Sequence, residues 1–142
     1  MSDAAVRIAA AATLLWLGMV LAISFLEAPL KFRAPGLELR VGLAIGRIVF
    51  RALNLAEVAW AVVIGACLIA DPQSAPITTL AVIAGVLLVV QLVLVRPRLN
   101  RRSNQVLAGV DAPRSSAHHA YIALEAVKVA SLIALGCYLL AT

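Results

Sequence analysis

Residues 118–141 read HHAYIALEAVKVASLIALGCYLLA. A hydrocarbon core about 30 Å thick is crossed by about 20 residues of apolar helix, and this segment is long enough, yet it carries Glu125 and Lys128 inside it and opens on His118 and His119. A charge at the centre of such a helix costs roughly 2.5–3.5 kcal/mol. Two of them on one helix therefore call for mutual pairing or for a site. At the helical period, His118, Tyr121, Glu125 and Lys128 lie within about 80° on one face, and His119 points elsewhere. Ala123, Ala126, Ala130 and Ala134 form a second stripe roughly opposite, suited to close packing of another helix or another protomer.

The rest of the chain has the same character. It is 142 residues long, 63% hydrophobic and 13% charged, against about 45–50% and about 25% in soluble domains. With a mean hydropathy of +1.02, it reads as an integral membrane protein with one domain and no room for a separate soluble one. Charges used as boundaries mark four spans, 6–30, 52–70, 77–95 and 118–141, the second at the end of a helix over 37–70. The fold class expected is an all-α four-helix bundle with a long, partly interfacial second helix. A short helix over 99–108 is expected in the last connection, and Ser115 or Ser116 is a natural N-cap for the fourth span.

Basic residues give the orientation. Lys31, Arg33, Arg40, Arg47 and Arg51 lie between the first two spans, and Arg96, Arg98, Arg101, Arg102 and Arg114 between the last two. The opposite side has only Arg7. By the positive-inside rule both basic loops are cytoplasmic and both termini outside, in a cell's inner (plasma) membrane. The pI near 10.0 follows from this topology and from anionic headgroups. No aromatic-interleaved basic patch points to nucleic acid. Cys67 and Cys137 sit near the outer ends of their helices, as packing thiols or, if those helices are neighbours, as a bridge.

On the long second helix Arg40, Arg47, Arg51 and Asn54 share one face within about 60°. Such a basic stripe suits lipid headgroups, or a dedicated anion site with Arg47 and Arg51 as its rim. Gly42 and Gly46, four apart, permit a close approach.

The spans also carry carboxylates: Glu27 late in the first, Glu57 early in the second and Glu125 early in the fourth, with Gln91 late in the third. All lie toward the basic side. That asymmetry argues for a cytoplasm-facing cavity over a through-pore. Its candidate ligand or proton site is Glu27, Asn54, Glu57, His118, Tyr121, Glu125 and Lys128. Glu57 has no basic residue within helical reach except Arg51; left unpaired, it would suit proton exchange, and otherwise it pairs with Lys128 across the bundle. No cofactor is required by the pattern. A metal would draw on Glu27, Glu57, His118 and Glu125, although no Glu-x-x-His is present, and a haem on His118 or His119.

Three landmarks carry a resemblance: Glu27-Ala28-Pro29-Leu30-Lys31-Phe32 at the end of the first span, Gly46-Arg47-Ile48-Val49-Phe50 in the second helix, and Arg96-Pro97-Arg98 followed by His118 or His119. In these places the chain resembles the bacterial relatives of the eukaryotic cisplatin-resistance-associated transmembrane proteins. The resemblance implies four membrane helices and no particular reaction. Glu125 and Lys128 depart from the eukaryotic pattern, which tends to be apolar or to carry Asn there. The function expected is binding or movement of a small solute, lipid headgroup or proton. The alternatives are a membrane-embedded enzyme using His118 and the carboxylates, and an accessory subunit joined to a larger complex or to its own copies through the alanine stripe.

Overall fold

The computed structural model describes residues 2–111, 113 and 116–142. Among them the chain forms four long helices and no strand: α1 (Asp3–Lys31), α2 (Leu39–Ala70), α3 (Ala75–Leu107) and α4 (Ser116–Leu140). Each is long and apolar enough to cross a membrane, and the protein is a multi-pass membrane protein built as an all-α four-helix bundle. Arg114 and Ser115, assigned above to the basic loop and the N-cap, lie outside the described residues.

α1 packs against α2 and α4, and α3 against α4 and α2, so α2 and α4 face each other across the diagonal. Cys67 and Cys137 are accordingly free thiols on diagonal helices. Large apolar side chains cover the outside, as at Leu55 (74% exposed) and Ile69 (84% exposed), which suits lipid. Inside, Trp16, Val20, Ile64, Ala84, Leu88 and Leu132 fill the middle. Ala9, Ala10, Ile77, Leu135 and Leu139 close the end that carries the chain termini.

Two prolines mark where the helices differ from the sequence reading. Both lie inside helices: α1 runs through Pro29 to Lys31, and α3 runs through Pro97 to Leu107, past the expected end of its span at 95. A proline inside a helix removes one N–H and crowds the carbonyl four residues back, here those of Phe25 and Val93. Just before each, the helix widens to a π-helical turn, Leu21–Glu27 in α1 and Gln91–Val95 in α3. There Ala28 N–H reaches Ile23 O and Arg96 N–H reaches Gln91 O, five residues back. The extra residue per turn gives the displaced carbonyls room and keeps the backbone bonded, as lipid requires. The short helix expected over 99–108 is thus the extension of α3. It ends in a Schellman motif: Val110 N–H donates to Gln105 O (2.9 Å) and Gly109 N–H to Val106 O (3.1 Å). Gly109 holds the left-handed conformation (φ 86°) that this motif places on a glycine.

α4 packs through Tyr121, Glu125, Lys128, Leu132, Leu135 and Leu139, all buried at spacings of four and three. The polar face of this helix is therefore its packing seam. Ala123, Ala126 and Ala130 are exposed and Ala134 is half-buried, so most of the alanine stripe lies on the outside of the bundle. The basic stripe of α2 is also engaged differently from a headgroup-binding surface. Arg40 Nη2 donates to Leu107 O (2.9 Å) and Arg47 Nη1 to Asn104 Oδ1 (2.6 Å), tying α2 to the α3 extension.

Candidate functional site

The predicted site residues fall into two groups. The first is an ionic cluster at the centre of the bundle. Lys128 lies fully buried on α4 and reaches across the diagonal to Glu57 of α2, with which it forms a salt bridge. On its own helix it pairs with Glu125, Nζ to Oε1 2.8 Å. Its ammonium also donates to Gln91 Oε1 of α3 (2.7 Å). Trp16 of α1 donates its indole N–H to Glu57 Oε2 (2.8 Å). Ser24 and Gln91 each donate to Glu125 Oε2 at 3.4 Å. Both of these come from the two π-helical turns, so the widened backbone delivers the polar side chains that the buried charges need.

Glu57, Glu125 and Lys128 are each 1% exposed or less. A buried ammonium between two carboxylates is tolerable only when its protons and their lone pairs find partners, and four helices supply them here. Glu57 is therefore engaged by Lys128 and Trp16, the second of the two readings that its sequence left open. Asn54, one turn earlier, is half-buried and joins neither group.

The second group lines a cavity of about 390 Å³ between the ionic cluster and the basic end of the bundle. Its cationic lining comes from every helix but α4: Lys31 from α1, Arg47 from α2, and Arg96 and Arg102 from the α3 extension. α4 adds His118 and Tyr121. Ser24 and Tyr121 stand on both sides of the division, each in the cavity wall and close to Glu125. Neither Glu57, Glu125 nor Lys128 lines the cavity, although all three belong to the candidate ligand or proton site expected from the sequence. Glu27 is not in the wall either. It pairs with Lys31 at 3.3 Å. Of the two expected rim arginines, Arg47 lines the cavity, whereas Arg51 is exposed and lies outside it.

Gly42 and Gly46 do receive a close approach, from the last residue of α1 and the one after it. A Cβ at position 42 would run into the Phe32 ring, and one at position 46 would come within 3.2 Å of Lys31 Nζ. Opposite them, Arg96 lies over the rings of Phe50 (4.5 Å) and Tyr121 (5.2 Å), which meet edge to face at 6.0 Å. Four polar atoms in this wall are buried without a hydrogen-bond partner: Arg96 Nε and Nη2, the Ser103 hydroxyl and the Tyr121 hydroxyl. Among the described residues no three His, Cys, Asp or Glu side chains gather to hold a metal ion. Glu27, Glu57, His118 and Glu125, the metal set considered above, thus do not converge.

Trp16, Ser24, Arg96 and Ser103 were not singled out from sequence. Arg96 entered as a topology charge and as part of the Arg96-Pro97-Arg98 landmark, although its place directly before an intrahelical proline was a usable sign. Fold and site together define a multi-pass helical membrane bundle with a closed ionic core and a basic cavity at one end. No family model, curated protein or solved structure matches the chain.

Proposed function

We propose that the protein binds a small anionic solute or lipid headgroup in the cavity, and that the basic end faces the cytoplasm from the inner (plasma) membrane. The observation that carries this reading is the lining. Lys31, Arg47, Arg96 and Arg102 contribute to it and no described Asp or Glu does. A concave, low-dielectric wall of one sign concentrates counter-ions of the other. Beyond the ionic core the bundle is filled by aliphatic side chains, which supports binding over conduction. The engagement of Glu57 by Lys128 and Trp16 supports a structural part for that carboxylate over a proton-carrying one.

A thermal-shift screen of the purified protein against organic anions and cations of similar size tests the reading. Anions are expected to stabilise it, by about 2.7 kcal/mol at a hundred times their Kd. Equal stabilisation by cations would contradict it. The orientation is tested by a carboxy-terminal alkaline phosphatase fusion, which is expected to be active; an inactive fusion with an active cytoplasmic reporter would reverse the topology. The exposed Ala123, Ala126 and Ala130 favour a second role as a docking helix for another membrane subunit or copy. That role is tested by the mass of the complex extracted in mild detergent: a monomer would count against it.

A further inference from the structure

We infer that the cavity takes an amphiphile bearing a phosphate monoester, with Arg96 as its anchor. This rests on the anion reading above and names the ligand class. The Arg96 guanidinium lies over the rings of Phe50 (4.5 Å) and Tyr121 (5.2 Å), contacts that use none of its N–H hydrogen bonds. The two nitrogens without partners, Nε and Nη2, form the side-on fork that chelates two oxygens of one oxyanion. The same wall holds two more donors without partners, the hydroxyls of Tyr121 (9% exposed) and Ser103 (8% exposed). They come from α4 and from the α3 extension.

A carboxylate offers two oxygens in one plane and a single charge, and the fork engages both, leaving one in-plane lone pair on each. A phosphate monoester offers three terminal oxygens and carries up to two charges, so it has acceptors left for the hydroxyls and charge left for the other cations. Those cations are already held in place: Arg47 bonds Asn104 (2.6 Å), and Lys31 pairs with Glu27 (3.3 Å). The remaining wall is apolar, with Ala28, Pro29, Leu39, Leu43, Leu99 and Ile122. A cavity of about 390 Å³ with such a wall lies in the range that encloses small organic ligands. Bare phosphate would leave the wall empty. The ester is either a lipid phosphate headgroup or a water-borne phosphate of a small apolar alcohol.

The test is titration calorimetry on the full chain in maltoside micelles with n-hexyl phosphate, n-hexanoate and inorganic phosphate. Hexyl phosphate is expected to bind about tenfold tighter than either of the others. Arg96→Lys keeps the charge and loses the fork, and is expected to weaken hexyl phosphate about tenfold. Arg98→Gln, which removes the same charge from the same end outside the cavity, is expected to change nothing. Should the Arg96 variants fail to fold, Ser103→Ala is expected to weaken hexyl phosphate about threefold and leave hexanoate unchanged.

Hexanoate binding as tightly as hexyl phosphate would overturn the headgroup class while leaving the anion reading intact. Inorganic phosphate binding as tightly would overturn the amphiphile. Binding of none of the three would take the anion reading down as well. Phosphatidic acid in phosphatidylcholine nanodiscs separates the two sources: displacement of hexyl phosphate identifies the lipid headgroup, and its absence the water-borne ester. Either result keeps the phosphate class.

Discussion

Two sets of charged side chains are buried in the bundle, one in its core and one in the wall of its cavity, and they differ in how completely they are partnered. In the core, Lys128 is met by Glu57, Glu125 and Gln91, and the carboxylates in turn by Trp16, Ser24 and Gln91. In the cavity, Arg96 lies over two aromatic rings and has its fork without hydrogen-bond partners, beside two buried hydroxyls in the same condition. Burial by itself therefore does not distinguish a working group from a structural one. The distinction lies in the donors and acceptors left over. Residues that look alike in sequence, an arginine and a lysine near an apolar span, take opposite roles on that criterion.

The sharpest way to break the comparison is to unbalance the core. Lys128→Met leaves two carboxylates facing each other without their shared cation, and removing one partner of a buried ion pair costs about 3–5 kcal/mol. Urea unfolding in micelles should show a loss of that size. A variant as stable as the parent would show that the cluster holds nothing together. The second test neutralises the whole cluster at once, as Glu57→Gln, Glu125→Gln and Lys128→Met together. This removes the charges without stranding one, and such replacements are often neutral or stabilising. The triple variant is expected to recover most of the loss and to bind hexyl phosphate as the parent does, because none of the three lines the cavity. Lost binding in a stable triple variant would join the two regions into one site.

The smallest effect is expected at Gly42, where the Phe32 ring occupies the space of the missing side chain. Gly42→Ala should gain helix propensity of about 1 kcal/mol and lose the ring contact. Stability should change little while hexyl phosphate binding falls about threefold, roughly 0.6 kcal/mol, since Phe32 is part of the wall. Unchanged affinity in calorimetry would remove Phe32 from the account of the cavity.

Sequence made the four spans legible because charges cluster at their ends and the segments between are apolar. The pairing of Glu125 with Lys128 was equally visible from their spacing. What lay beyond reach came from two physical facts. A proline followed by polar residues reads as a helix end, and nothing in the local pattern of residues 21–27 or 91–95 announces the widened turn that lets the helix continue. Partners across the bundle are also silent in one dimension. Trp16 is an aromatic in an apolar helix with no periodic sign that its N–H meets a glutamate, and Arg96 looks like any arginine flanking a span. Gly42 and Gly46 announced a close approach but not its source, the Phe32 ring and the Lys31 ammonium. Likewise the basic stripe of α2 was visible as a face and the helix over 99–108 was expected, whereas the attachment of one to the other at Leu107 and Asn104 depends on α3 continuing through Pro97.

The division between a closed ionic core and an open anion site is tested most directly by a crystal structure of the protein grown with n-hexyl phosphate. Tetrahedral density against Arg96 Nε and Nη2, with its tail along Leu39 and Leu99 and the Lys128 contacts unchanged, is the predicted result. Density bound at Lys128 with Glu57 or Glu125 displaced would contradict it, and so would an Arg96 fork without ligand in a crystal saturated with hexyl phosphate.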